Sequence, residues 1–316
     1  MVAHMLIVAA FLVPYLIALV AYPLLMHSAR FGLVTPVAAC LLIVGCPWLI
    51  PADLPMLRFI ASISAAMLAI KVIDVSVDQR QGRMPTWNAH VGFLANPFTH
   101  VRRSLPLERR PPLKQNLRAL VLGSVSCTTC VALLVGLFRV DWATWHFLVE
   151  HVSKVVVLML AISAGLAAAA AVWRLAGGLA RDFMDNPLAA RTPAEFWRRY
   201  NRNVQQFFWQ DVFQRRGARR SPIRSMLLVF ALSALLHELV FFAAVGRVQG
   251  YQTAFFGLQG VAAAFTARLK VRGWRVAPCI AATLVFNLLS SVLFFASIHS
   301  VVPFYSQGLP QWLRGW

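Results

Sequence analysis

Two ionisable residues, His237 and Glu238, stand side by side inside the apolar run 227–245. Ionisable side chains are costly at membrane depth, and they usually face a helix-bundle interior or a water-filled cavity. Histidine is also the side chain whose proton affinity best suits acid–base chemistry near neutral pH. The pair therefore indicates a functional site.

The element that carries His237 is expected to be a membrane-spanning helix. If this helix begins near Arg224, His237 lies about 20 Å along it, close to mid-membrane. Glu238 projects about 100° away from His237 on the same helix. We therefore expect Glu238 to support the substrate site rather than to form a direct dyad with the histidine.

The composition places the whole chain in a bilayer. Of 316 residues, 59% are hydrophobic and only 13% are charged, and the mean hydropathy is +0.66. The fold class that we predict is all-α: a polytopic integral membrane protein with about eight transmembrane helices and one amphipathic interface helix. The predicted spans are 6–26, 33–50, 57–73, 117–138, 155–173, 225–245, 253–269 and 276–298.

The net charge of +19 follows the predicted spans. Basic residues concentrate in three blocks, within 80–118, 174–224 and 268–275, and an even number of predicted spans separates each block from the next. The positive-inside rule then places these loops in the cytoplasm and both termini on the opposite side. Because this arrangement explains the charge, we expect membrane lipids as partners and no nucleic acid.

The second basic block contains a segment with helical periodicity. Thr192, followed by Pro193 and Glu195, has the pattern of a helix start. Aromatic and apolar residues recur from there at spacings of three and four, with arginines between them, which predicts one amphipathic helix lying in the interface. They are Phe196, Trp197, Tyr200, Val204, Phe207 and Phe208.

Two segments of the C-terminal part resemble a known family. The segment 195–201 reads Glu-Phe-Trp-Arg-Arg-Tyr-Asn, and a basic linker separates it from 232–242, Leu-Ser-Ala-Leu-Leu-His-Glu-Leu-Val-Phe-Phe. In order and spacing they resemble the membrane-bound O-acyltransferase superfamily, and most closely its wax-synthase-like branch. Tyr200 replaces the usual tryptophan of that branch, and Ala234 replaces a common glycine.

The resemblance implies transfer of an acyl group from acyl-CoA to a hydroxyl acceptor: a long-chain alcohol, a sterol or a specialised metabolite. His237 and Asn201 would be the catalytic residues, and Trp197, Arg198, Arg199 and Glu238 would bind substrate. No metal and no cofactor is expected besides acyl-CoA as co-substrate. The expected organisation is a single membrane domain, 1–316, with N-terminal helices (1–173), a basic cytoplasmic loop carrying the first motif (174–224) and a catalytic-helix region (225–316).

Two other functions fit parts of the sequence. Asp74 and Asp78 lie one helical turn apart at a predicted cytoplasmic helix end, where they could hold Mg²⁺ and a diphosphate as in intramembrane prenyltransferases. Asp182 and Asp185 are the nearest match to the second acidic motif that such enzymes need. A non-enzymatic lipid transporter or scaffold is the other alternative, although transporters usually carry ionisable residues on several helices.

Overall fold

The computed structural model describes residues 2–26, 33–102, 111–213 and 221–314, and every regular element within these ranges is helical. Seven arginines of the first two basic blocks lie outside the described residues: Arg103, Arg109, Arg110, Arg215, Arg216, Arg219 and Arg220. In chain order the helices are α1 (Val2–Met26), α2 (Val34–Gly45), α3 (Pro55–Arg80), α4 (Trp87–Ala95), α5 (Leu113–Arg139), α6 (Phe147–Leu175), α7 (Pro193–Arg199), α8 (Arg202–Phe208), α9 (Pro222–Val245), α10 (Tyr251–Thr266) and α11 (Val276–Val301).

Within the described residues, six helical segments are long and apolar enough to cross a membrane, and they match six of the eight predicted spans. They lie in α1, α3, α5, α6, α9 and the segment Gly273–Val301 that ends in α11. The third predicted span, 57–73, is part of a helix of 26 residues that begins at Pro55. The prediction of a polytopic, all-helical membrane protein is thereby confirmed.

The other two predicted spans form shorter helices. α2 has 12 residues and α10 has 16, which correspond to roughly 18 Å and 24 Å, less than the roughly 30 Å of a hydrocarbon core. The α-helical turns of α2 end at Gly45, and Pro47 lies in the 3₁₀ turn Cys46–Leu49 that follows. Proline has no backbone N–H for an α-helical hydrogen bond, which explains why the predicted helix to residue 50 stops early.

The chain divides into two compact units. The first comprises 1–106 and 236–249, and the second comprises 107–235 and 250–316, so that the boundary falls within the continuous helix α9. In the first unit, α1 to α4 share an apolar core that includes Ile43, Leu68 and Leu94. Van der Waals contact between such side chains holds these four helices together.

Small residues bring α5 and α6 together in the second unit. A Cβ atom added at Gly123 would lie 2.8 Å from the Ala164 carbonyl oxygen, and Ala168 lies beside the same glycine. The alanine-rich run 167–171 of α6 includes the fully buried Ala170 and Ala171. Small side chains of this kind let membrane helices approach each other closely.

A charged cluster anchors the segment after α11 to the beginning of α6. Lys154 is fully buried, and its Nζ donates to Glu150 Oε1 (2.5 Å), to the Phe304 carbonyl oxygen (2.9 Å) and to Ser306 Oγ (3.4 Å). Glu150 Oε1 also accepts from the Ser306 N–H at 2.8 Å and from the Ser306 hydroxyl at 2.9 Å. All three ammonium protons thus have acceptors, as a buried lysine requires. We call this group the charged cluster.

Candidate active site

Helix α7 begins as its sequence predicts. The Thr192 hydroxyl accepts from the Glu195 N–H at 3.1 Å, and Pro193 occupies the first turn. The Glu195 carboxylate accepts from Arg191 Nε (2.8 Å) and Arg199 Nη2 (2.6 Å). Hydrogen bonds from Arg191, followed by those from Arg199, lower the pKa of Glu195 to about 2.

Two contacts hold α7 against α10 in the second unit. The Trp197 indole Nε1 donates to Gln259 Oε1 at 2.9 Å, and the Ala194 N–H donates to Thr266 Oγ1 at 3.2 Å. The Trp197 ring packs edge-on against Phe230 of α9, with ring centroids 5.5 Å apart. The sequence predicts Trp197 as a substrate-binding residue, and the structure places it as the link between α7 and the membrane helices.

The predicted amphipathic helix is broken, and this corrects the expectation of one continuous helix. α7 ends at Arg199, and Asn201 adopts the left-handed conformation, with φ at 44°, before α8 begins at Arg202. Backbone pairing with an earlier loop holds the break: the Arg202 N–H donates to the Phe183 carbonyl oxygen at 2.9 Å. Asparagine is among the few residues other than glycine that tolerate this conformation.

Two asparagines on either side of the start of α8 have different surroundings. Asn201 Oδ1 accepts from the Val204 N–H at 3.3 Å and thereby caps α8. Asn203 is buried, with 5% of its surface exposed, and its Nδ2 has no hydrogen-bond partner among the residues that the structure describes. The predicted catalytic residue Asn201 thus has a structural role in the helix start, whereas Asn203 keeps a buried donor available.

Of the two arginines predicted to bind substrate, one is already bound to a carboxylate and the other is exposed. Arg199 donates to Glu195 and, through Nη1, to the Asn186 carbonyl oxygen at 3.2 Å. Arg198 is exposed at the end of α7. A guanidinium that already neutralises a carboxylate has less charge to offer a phosphate, so Arg198 is the better placed of the two for an anionic ligand.

His237 and Glu238 lie in the first unit, on the second half of α9. His237 is half-buried, one turn before Phe241, whose ring packs against Phe59 of α3 with centroids 5.0 Å apart. Glu238 is buried, and its Oε1 accepts from the Gln249 N–H at 2.8 Å, which ties the turn after α9 back to the helix. The expected role of Glu238 at the substrate site stays a prediction.

Asp74 and Asp78, the residues of the prenyltransferase alternative, are fully buried in the first unit and bound to arginine. Asp74 Oδ2 accepts from the Arg102 N–H at 2.7 Å, and Asp78 Oδ2 accepts from Arg102 Nη2 at 2.5 Å. Asp78 also pairs with Arg83 at 3.3 Å. The two carboxylates therefore hold the end of α3 to the segment that contains Arg102.

Sequence reasoning missed two polar residues, one on α10 and one on α11. Gln259 of α10 is buried with 1% exposure, and its Nε2 donates to Asn287 Oδ1 of α11 at 3.2 Å. Both lie inside predicted spans, where an uncharged amide is less conspicuous than a histidine. The signal that identified His237, a polar side chain at membrane depth, applies to them as well.

Comparison with known proteins identifies the family of the chain. Residues 78–299 match the membrane-bound O-acyltransferase family, and the match covers more than half of the chain, including α7, α8 and α9. No curated protein shows a significant match to the chain. The chain belongs to the membrane-bound O-acyltransferase family, and it is accordingly a multi-pass membrane acyltransferase.

Proposed function

We propose that this acyltransferase moves an acyl group from acyl-CoA to a hydroxyl-bearing lipid or small molecule, with His237 as the general base. The acceptor oxygen attacks the thioester carbonyl carbon while the His237 imidazole takes the hydroxyl proton. The carbon–sulfur bond then breaks, and the proton passes to the departing thiolate, which leaves as the free thiol of coenzyme A. The products are an ester and coenzyme A.

The observation that carries this proposal is the position of His237. It is half-buried in the second half of α9, about 20 Å from Arg224, in a helix long and apolar enough to span a membrane, and it lies within the matched family region. At this depth water is scarce, so a thioester would be protected from hydrolysis. A histidine of this kind is functional more often than it is structural.

The basic loops within 80–118 and 174–224 are proposed to face the cytoplasm, because the positive-inside rule favours that orientation and two spanning helices, α5 and α6, separate the two loops. Acyl-CoA would then approach from the side on which the α7 segment lies, and Arg198 would contact its phosphates. The acceptor would come from the bilayer. A long-chain alcohol is the acceptor proposed first, since the two motifs resemble the wax-synthase-like branch, and sterols and specialised metabolites are the other candidates.

The test is transfer of labelled acyl groups by the purified full-length protein in lipid nanodiscs. Palmitoyl-CoA would be the donor, with hexadecanol, a sterol and water compared as acceptors. We expect ester formation with hexadecanol by the wild type and a loss of at least about 100-fold in the His237→Ala variant. His4→Ala, which changes an exposed histidine of α1, is the matched control and should retain activity. Full activity in His237→Ala would overturn the proposed base.

A further inference from the structure

A chain of hydrogen-bonded side chains runs from α7 across α10 to α11 in the second unit. Trp197 Nε1 donates to Gln259 Oε1 at 2.9 Å, and Gln259 Nε2 donates to Asn287 Oδ1 at 3.2 Å and to Ser290 Oγ at 2.8 Å. Gln259 therefore has its acceptor and both of its donors engaged. We call Trp197, Gln259 and Asn287 the amide chain.

The direction of each amide in this chain follows from the chemistry of its first member. An indole N–H can only donate, so Gln259 must turn its oxygen towards Trp197 and its amino group towards α11. An amino group can only donate as well, so Asn287 must turn its oxygen towards Gln259. The Asn287 Nδ2 consequently points away from Gln259, because the hydrogen-bond partners decide which end of each amide is oxygen and which is nitrogen.

The chain ends on a donor without an acceptor. Asn287 Nδ2 is buried, and it has no hydrogen-bond partner among the residues that the structure describes. Asn287 lies near the middle of α11, about 17 Å from Val276 and about 21 Å from Val301. A buried donor left unpaired costs about 1–3 kcal/mol, and no water from bulk solvent is at hand at mid-membrane to relieve it.

Close packing of α10 on α9 places Gln259 next to Trp197 of α7. Its neighbour Gly260 lies against Phe230 of α9, where an added Cβ would come within 2.8 Å of the Phe230 Cβ. Trp197 packs on the same Phe230 ring. Because α10 approaches α9 so closely at this point, Gln259 reaches Trp197 on one side and α11 on the other.

We propose that Asn287 is a substrate-binding residue whose Nδ2 donates a hydrogen bond to an uncharged oxygen of the reactants. Gln259 and Trp197 are positioning residues that act through it. The amide chain consists of neutral groups, so it suits a carbonyl or hydroxyl oxygen, whereas phosphates require cations. Two such oxygens belong to the reaction: the thioester carbonyl of the acyl donor and the hydroxyl of the acceptor. The identity of this ligand rests on the proposed function.

The test compares three variants of the full-length protein. Asn287→Leu keeps a side chain of similar size but has no donor. Trp197→Phe keeps an aromatic ring but lacks the indole N–H that donates to Gln259. Ser290→Ala is the control, because it removes only the bond from Gln259 to Ser290 and leaves Trp197, Gln259 and Asn287 connected. We expect Asn287→Leu to raise KM about tenfold, for palmitoyl-CoA if the carbonyl is bound or for hexadecanol if the hydroxyl is bound. Trp197→Phe should raise the same KM by a smaller factor, because it frees Gln259 to turn, and Ser290→Ala should leave both KM values unchanged.

A binding measurement separates this proposal from the proposed base. The shift in Tm on adding palmitoyl-CoA or hexadecanol reports binding without turnover. We expect one of the two shifts to shrink in Asn287→Leu and not in Ser290→Ala. Equal shifts and equal KM values in Asn287→Leu and wild type would overturn the role of Asn287 alone. If neither compound shifts the wild type, the proposed substrates are wrong, and the ligand assigned to Asn287 is overturned with them.

Discussion

The charged cluster and the amide chain belong to the same unit, and both place polar groups among apolar helices. In the charged cluster the three donors of Lys154 have acceptors, and Glu150 accepts three hydrogen bonds. The amide chain has no charges, and its last donor, on Asn287, has no partner within the described residues. A network whose groups are all paired holds helices together, whereas an open-ended network has a position left for a ligand.

The largest stability effect is expected in the charged cluster. Lys154→Met would remove the cation and leave the Glu150 carboxylate buried beside Ser306, which should lower the free energy of unfolding by about 3–5 kcal/mol. Thermal unfolding of the purified protein in detergent measures the loss. The double variant Glu150→Gln, Lys154→Met removes both charges and should recover part of it. An unchanged Tm in Lys154→Met would contradict the structural role of this cluster.

The second-largest stability effect is expected at Glu195. Like the ammonium group of Lys154, its carboxylate has hydrogen-bond partners, here Arg191 and Arg199. The pKa of Glu195 is lowered to about 2, below that of the unfolded chain at about 4.3, because Arg191 and Arg199 favour the ionised form. The pairing therefore stabilises the fold fully above about pH 4.3, and this contribution is lost as the pH falls towards 2. Wild type should lose Tm over this window, and Glu195→Gln should lose less over the same window while starting from a lower Tm. Parallel curves for the two proteins would contradict the prediction.

Asn201 tests whether a paired amide can also be catalytic. Asn201→Ala loses the cap on α8 and the tolerance for φ at 44°, and we expect a loss of about 1–2 kcal/mol in unfolding free energy. Asn201→Asp keeps the acceptor for the Val204 N–H but has no amino group. If Asn201 only caps α8, Asn201→Asp should keep acyl transfer near wild type. A stable but inactive Asn201→Asp would instead support the catalytic role that the family resemblance implies.

The smallest stability effect is expected at the open end of the amide chain. Asn287→Leu removes an unpaired donor, although it also takes an acceptor from Gln259, so the unfolding free energy should change by less than about 1 kcal/mol. The same thermal unfolding measurement as for Lys154→Met makes the comparison direct. A loss as large as that of Lys154→Met would show that Asn287 is bound within the protein, and the two networks would then be alike.

The sequence was most informative where local patterns decide the structure. Thr192, Pro193 and Glu195 form the helix start that their order predicts, because a cap depends on neighbours in the chain. The break at Asn201 was not predictable, since it depends on backbone pairing between residues 202 and 183. Helical periodicity continues through that position, so a pattern of apolar residues cannot reveal the left-handed turn.

The candidate site was predictable where a single residue stands out in the sequence, and not where it depends on contacts between distant helices. His237 is conspicuous as an ionisable residue in an apolar run, and the family match includes it. Gln259 and Asn287 are 28 residues apart in the sequence and 3.2 Å apart in the structure, so only the packing of α10 on α11 reveals their relation. Which donor of such a network remains unpaired depends on every other partner, and no sequence pattern reports that.

The charged cluster also has a consequence for biosynthesis. Lys154 and Glu150 are inserted with α6, but Ser306, which completes their hydrogen bonds, leaves the ribosome only after α11 has been made. During the translation of about 150 further residues, the two charges have each other as an i,i+4 pair on one helix. This spacing lets the nascent helix enter the membrane nearly neutral before the rest of the protein exists.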